Sequence, residues 1–415
     1  MDVATLPALT LVESETQATM AGPDFQLAFD KQTGTIATLN YRGHNLLESG
    51  PQANFWRAPT ENDLNTWGEE RAAQRWREIG LDQLEEHVET VTVNQPAPQV
   101  VEITVKSVCA PGADFAVPAT SGPEQQMEGI MQFLSWALDK ELLHTFCAHL
   151  NMPYDSLPGT IKAAKLKGLL APFVQENRLQ ELMLSLYHFL KETAPDKVRP
   201  EFEARLFQNH MGTPEAKAPA RFACTYTYTI YGSGDIVIEH HVIPEVADLP
   251  FLPRIGLQMT VPGGYEQFTW YGRGPHETYV DRNYGAQVGV YSGTVDEQYV
   301  PYIVPEENGN KTDVRWVALT NDMGVGLLAV GAPEVSAHHY TTQDLTEATH
   351  TYELQRRDDI TLNLDYAQSG LGSASCGPGR RPEYQLKPVE TRYHVRLRPF
   401  SQATESPMAL SKQQL

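Results

Sequence analysis

Cysteine is scarce and poorly placed for metal binding. The 415 residues hold four, Cys109, Cys147, Cys224 and Cys376, and none stands in a CxxC or CxxH pair. A zinc site therefore has no support, and four scattered thiols in so long a chain do not make a disulfide framework. A reducing compartment, the cytoplasm, is the expectation. Basic residues are also short: 32 Lys and Arg stand against 52 Asp and Glu, a net charge of −20. That field repels phosphate backbones and argues against nucleic acid, whereas a neutral sugar is indifferent to it. No stretch approaches 18 apolar residues, so no membrane span or membrane partner is expected. The start, Met1 to Pro7, lacks a basic region followed by an apolar one, so no signal peptide is expected. Enough remains to fold. Hydrophobic residues make up 41%, which allows a sizeable core, and charged residues only 20%, which argues against disorder.

Periodicity divides the chain into three zones. In the first, to about residue 108, Phe25, Leu27 and Phe29 alternate, the run 30–34 turns, and Val101, Ile103 and Val105 alternate again. This is the period of half-buried strands, with one helix expected around Glu69 to Ile79. The third zone, from about residue 221, is more strongly β. Phe222, Cys224, Tyr226, Tyr228 and Ile230 fall on one face, residues 231–235 turn the chain, and Ile236, Ile238, His240 and Val242 return. A large antiparallel sandwich follows. Between them the period becomes helical. Ile161, Leu166, Leu169, Leu170, Phe173 and Val174 recur at three and four, as do Leu179, Leu182, Met183, Leu186 and Leu190, with Asn177 as a stop. Proline- and glycine-bearing stretches, Ala110 to Ala113 with Pro118 to Pro123 on one side and Gly212 to Pro219 on the other, read as linkers around a helical bundle inserted in a loop.

Five strings in the β zones carry a family resemblance. They are Phe55 to Asp63 (FWRAPTEND), Trp270 to Arg282 (WYGRGPHETYVDR), Tyr302 to Asn310 (YIVPEENGN), Val314 to Trp316, and Gly370 to Pro378 (GLGSASCGP). Together they resemble the C-terminal domain of family 2 β-galactosidases, which is also the small chain of the two-subunit forms. The resemblance covers about 5–108 and 221–400. It implies a mainly β fold, a galactose-mutarotase-like β-supersandwich, here with an inserted all-α helical bundle. The expected divisions are 1–112 and 220–402 for the sandwich, 113–219 for the insert, and 403–415 for a flexible tail.

In that family the domain leans on a catalytic (β/α)8 barrel and helps close the sugar cleft. Both catalytic carboxylates come from the barrel. No barrel is legible here, since one needs about 250 residues of strand–helix alternation. The resemblance therefore implies a chain with no catalytic residue, cofactor or metal of its own. Its partners are a β-galactosidase large chain or catalytic barrel domain and a galactoside, and its exposed docking face favours self-association when alone. Arg57, Asn62 and Asp63, in a proline-containing loop, face either the cleft or barrel, or else satisfy turn backbone groups. Glu307 and Asn308 touch sugar or shape their loop. Cys376 sits in the glycine-rich 370–379 loop, which in the family reaches toward the active site. Some members place a Trp there, and Cys376-Gly377 stand in its place. Glu277 and Asp281-Arg282 read as a charge-assisted pair at a sheet edge. The pairs His338-His339 and His240-His241 do not suggest metal, because adjacent strand residues point to opposite faces.

The insert has its own resemblance. Leu142 to Cys147, Tyr154 to Gly159, Lys162 to Lys165 and Arg178 to Leu182 resemble bacterial effector-associated, death-like domains over about 128–196. That implies a homotypic partner. The alternative is an inert helical insertion with Cys147 in its core. Two other functions stand beside the glycosidase part: a free carbohydrate-binding or aldose-epimerase-like sandwich, and an adaptor acting through the insert.

Overall fold

The computed structural model describes residues 2–64, 70–115, 130–131, 133–176, 178–198 and 218–414. Contacts divide the chain into two compact units, Met1–Phe115 with Ala218–Leu415, and Ala116–Lys217.

The first unit opens with β1 (Thr10–Glu13), β2 (Gln17–Ala21), β3 (Phe25–Asp30), β4 (Thr35–Tyr41) and β5 (His44–Asn45), paired in that order. Next come β6 (Ser49–Asn54), the short helices α1 (Glu61–Leu64) and α2 (Ala72–Glu78), and the long strands β7 (Leu84–Ala97) and β8 (Val100–Pro111). After the second unit the chain continues with β9 (Phe222–Tyr231), β10 (Ile236–Pro244), β11 (Arg254–Val261), β12 (Gln267–Gly274) and β13 (Gln287–Thr294). The last strands are β14 (Trp316–Thr320), β15 (Val325–Val330), β16 (Glu334–His338), β17 (Ile360–Gln368) and β18 (Thr391–Ser401). A nine-stranded sheet has the order β13-β12-β14-β15-β18-β10-β9-β8-β7, and a four-stranded sheet the order β16-β17-β11-β6.

Alternation in the sequence sets these faces. Phe222, Cys224, Tyr226, Tyr228 and Ile230 of β9 are all buried, and Gly234, at φ +90°, makes the turn into β10 that the residue type permits. Phe29 of β3 meets Tyr228 edge-on at 5.1 Å, and Phe55 stacks on Phe222 at 4.3 Å, so these strands share one core. Fully burying each such ring contributes about 1.5–3 kcal/mol. His240 lies inward against Tyr226, and burial pushes its imidazole down to about 3. The helix expected around Glu69 to Ile79 is α2. The described part of that expectation starts at Glu70, and 65–69 lie outside the described residues.

In the second unit α3 (Lys140–His149), α4 (Lys162–Gln175) and α5 (Leu179–Thr193) surround their own core, which holds Phe146, Cys147, Leu166, Leu170, Met183 and Leu186. Ile161 is corrected from that stripe: it caps α4 from outside and is 66% exposed. Gly168 is needed because a Cβ there would lie 2.4 Å from the Pro158 ring, so only glycine lets the Leu-Pro-Gly turn lie on α4. Lys165 reaches across to the carbonyl oxygens of Leu157 (2.6 Å) and Tyr154 (3.1 Å). Asn177, the stretch Pro118 to Pro123 and residues 212–217 lie outside the described residues.

The flexible tail expected from 403 is also corrected. Residues Pro407–Ser411 form a short helix, Leu410 is buried against Trp316 and Phe400, and Arg396 donates to the carbonyls of Leu410 and Gln413. An exposed apolar stripe on β14 and β15 needed a cover, and the helix supplies it. Among the described residues no helix is long and apolar enough to cross a membrane.

Candidate functional site

Hydrogen bonds join four of the five strings within the first unit. Arg57 is fully buried. Its Nε donates to Asp63 Oδ2 (3.2 Å), and its Nη2 to both Asp63 oxygens (3.0 Å) and to the Gly370 carbonyl (3.2 Å). Asp63, also fully buried, accepts in addition from Arg380 and from the Thr60 N–H (3.0 Å). Burial alone would raise the Asp63 carboxyl, but Arg57 and Arg380 overcome it and hold it below the ordinary value. Glu70 accepts from the Arg380 N–H at 2.9 Å and pairs with its Nε. Both guanidinium groups lie against Trp76, at 5.7 and 5.9 Å from the ring centre.

A second buried cluster sits where β11 meets β17. Arg254 donates to Glu307 at 2.8 Å and pairs with Asp365 at 3.0 Å. Gly256 lies opposite Asp365, and a Cβ there would fall 1.9 Å from Oδ1, so the glycine makes the space for this acid. Burial pushes Asp365 up to about 8, and pushes the neighbouring Glu334 up to about 7. A third group lies nearer the surface: Glu277 accepts from Arg282, Tyr302 and the Gly309 N–H.

These clusters hold the glycine-rich loop at several points. Asp281 accepts from the N–H groups of Leu371 (2.9 Å) and Gly372 (2.7 Å). Asn62 donates to the Gly372 carbonyl (3.0 Å) and accepts from the Ser375 N–H (2.9 Å). Arg380 anchors the far end. Between the anchors residues 375–379 are exposed, Cys376 among them. Exposed apolar side chains flank these anchors along the chain: Leu64 follows Asp63, Val280 precedes Asp281, Ile303 (86%) follows Tyr302, and Tyr284 (98%) follows Asn283. Glu306 accepts from the Glu61 N–H at 2.8 Å, and burial pushes its carboxyl up to about 7.

The structure places the sequence candidates as follows. Arg57 and Asp63 face neither a cleft nor a partner, because their polar atoms are consumed inside the clamp. Glu307 and Asn308 are 5% and 1% exposed. The first is held by Arg254, and the second accepts from the Val300 N–H and donates to the Glu306 carbonyl, so both shape the interior. Asn62 is half-buried and Cys376 exposed. Glu277 does pair with Arg282, but Asp281 serves the loop instead. Arg254, Asp365, Arg380 and Glu70 were missed. Their one signal is a charge interrupting apolar strand runs at Arg254 and Asp365. His338 and His339 have different partners, the Asn308 carbonyl (2.9 Å) and Glu266 (2.8 Å). Ligand atoms of Glu266, Asp296 and His339 lie within 4.8 Å of one another, and the Arg356 guanidinium lies among them, 3.0 Å from Asp296 and 2.9 Å from His339. A shallow open depression of about 480 Å³, with Ile243, Leu249, Pro388 and Val389 in its wall, is lined by none of the loop's anchors.

Asp281→Ala is expected to release the start of the loop without unfolding the sandwich. A hydrogen bond to a charged group is worth about 1.5–3 kcal/mol. Amide exchange at Leu371 and Gly372 should therefore quicken at least tenfold while exchange in β11 and β17 stays as it was. Unchanged rates at both amides would show that the carboxylate does not hold them.

Comparison with known proteins gives the following likenesses. A family model described as Beta galactosidase small chain matches residues 21–133 and 176–398. The β-galactosidase of Priestia megaterium is 30% identical over 383 residues, 92% of this chain and 26% of that protein. That of Vibrio cholerae is 38% identical over 175 residues, 42% of this chain and 16% of that protein. The chain thus spans about a quarter or less of the length of these curated relatives. Among solved structures, a GalM/aldose epimerase homologue from C. elegans aligns over 95% of this chain and 99% of its own, with 8% identity and a TM-score of 0.37.

Proposed function

Because the chain belongs to the β-galactosidase small-chain family, we propose that it is the non-catalytic part of a family 2 glycoside hydrolase. In this reading it completes the sugar cleft of a catalytic barrel, on a large chain or a separate domain, that hydrolyses terminal β-galactosides. One observation carries the reading. Residues of the shared strings, with Glu70, Arg254, Asp365 and Arg380 from outside them, build a clamp that holds an exposed loop, and the clamp's carboxyl groups, Asp63, Glu70, Glu277, Glu307 and Asp365, each meet an arginine. Retaining glycosidases need two carboxyl groups about 5–5.5 Å apart and free to act on the sugar. Acids locked to guanidinium groups in the interior cannot reach a glycosidic oxygen. The exposed apolar side chains Leu64, Val280, Tyr284 and Ile303, on segments that also carry the loop's anchors, support contact with a second polypeptide. A neutral galactoside is compatible with the strong negative charge, and four free cysteines support a cytoplasmic setting.

The test is a chromogenic galactoside assay of the purified chain, alone and mixed with the catalytic chain of a two-subunit relative. No turnover is expected alone, and activity is expected on mixing. Enzyme-like turnover by this chain by itself would overturn the reading.

The helical insert is read more finely as a death-like unit that docks a homotypic partner, on the strings named above. The exposed Trp136 and Ile161 on that unit support a contact surface. Retention of an isolated death-like domain by the wild-type chain, and its loss with Trp136→Ser, is the expected pull-down result. No retention by either leaves the insert an inert spacer.

A further inference from the structure

Cys109 and Cys224 stand in the sandwich near the points where the chain leaves it and returns to it. Cys109 is near the end of β8, and Cys224 near the start of β9. The register sets Ser107 opposite Cys224 and Cys109 opposite Phe222, so the two thiols are diagonal neighbours on one face. Each is 2% exposed, and their Sγ atoms are 3.8 Å apart although 115 positions separate them in the sequence. A disulfide spans about 2.05 Å at sulfur and keeps its Cα atoms within about 6.8 Å, whereas diagonal strand neighbours stand roughly 7–8 Å apart, so closing it calls for side-chain rotation and for the two strands to move together at this end.

We propose that Cys109 and Cys224 form a latent disulfide site, closed by a two-electron oxidant of the peroxide class, that ties together the two chain ends bounding the Ala116–Lys217 unit. In the first step one sulfur, as thiolate, attacks the peroxide oxygen. The O–O bond breaks and the departing hydroxide takes up the proton that the thiol released, leaving a sulfenic acid and water. The second sulfur then attacks the sulfenic sulfur, the S–S bond forms and a second water departs. Two thiols are oxidised and one peroxide is reduced. The hydrogen bond to Cys224, together with burial, holds the Cys109 thiol well above its ordinary value, so closure is slow and proceeds through local fraying of the β8–β9 pair at its Cys109 end. Once closed, the bridge keeps the two halves of the sandwich joined even when the chain between them is cut. A cross-link over so long a loop also restricts the unfolded chain strongly.

The test uses the full chain with Cys147→Ala and Cys376→Ser, so that only this pair can react. Hydrogen peroxide is added to the folded protein and its mass is followed without reductant. The expected result is a loss of about 2 Da, reversed by dithiothreitol, with a tryptic peptide pair joined through Cys109 and Cys224. Non-reducing electrophoresis after protease cleavage inside 116–217 should show one band where the reduced protein shows two. An unchanged mass, a sulfinic acid on either cysteine without a bridge, or a doubled mass from bridging between molecules would each overturn the proposal.

Discussion

Arg57→Met will destabilise the sandwich by about 3–5 kcal/mol, the range for breaking a buried ion pair from one side. Few substitutions on the surface of such a protein exceed about 0.5 kcal/mol, so the effect will be unmistakable in urea unfolding. The reason lies in what is left behind. Asp63 would keep Arg380 and the Thr60 N–H but lose three contacts to guanidinium nitrogens, and the Gly370 carbonyl would lose a donor. None of these groups can turn to water, since Asp63 and Arg57 are both fully buried. Trp76, 5.7 Å from the Arg57 guanidinium, provides a fluorescence signal beside the change. The double variant Arg57→Met, Asp63→Leu should recover part of the loss, because paired apolar replacement removes the stranded charge. A loss below about 1 kcal/mol for Arg57→Met would mean that the clamp is a surface pair in disguise.

Asp365→Asn will gain stability relative to the parent as pH rises from about 4 to 8. An unfolded aspartate ionises near 3.8, whereas in the fold burial holds this one protonated up to about 8. Between those values the folded state binds the extra proton. Stability contributed by the group is therefore fully present below the unfolded value and lost as pH climbs through the folded one. The slope is at most about 1.4 kcal/mol per pH unit. Glu334 and Glu306, each raised by burial to about 7, act in the same direction from 4.5 upward. His240 and His338, lowered by burial to about 3 and about 4, act oppositely below 6.5. The histidines offset part of this loss between about 4.5 and 6.5, so the parent should weaken slowly there and more steeply above it. The Asn variant keeps an oxygen for Arg254 and cannot titrate. A parent-to-variant difference in midpoint that is the same at pH 5 and pH 8 would refute the buried proton.

Much of this was legible in the sequence, for a physical reason. Alternation identifies a strand wherever one face is buried and the other wet. Thus Phe222 to Ile230 and their return strand, and the helical stripes Leu166 to Leu170 and Leu182 to Leu190, were readable directly. Glu277 with Arg282 was readable too, because the partners are close in the chain. The clamp was not. Asp63 meets Arg380 and Arg254 meets Asp365 across long separations, and no local pattern reports such a meeting. A charged residue in a proline-bearing loop looks solvent-directed until the fold wraps around it. Arg57, Asp63 and Glu307 each carried two readings for that reason. The C-terminal helix was misjudged because a few apolar residues in a polar tail do not reveal that a stripe awaits them.

The hairpin-like register of β8 on β9 has a consequence for how the molecule is made. Ten residue pairs join these neighbours, from Val100 with Tyr231 to Cys109 with Phe222, yet the insertion lies between them in the reading frame. At about 5–20 residues per second, a ribosome takes several seconds to deliver the second strand after the first. During that interval β8 has β7 on one side and nothing on the other. The nascent chain carries an open hydrophobic edge for far longer than a strand pair needs to form, which makes this seam the step at which chaperone capture matters.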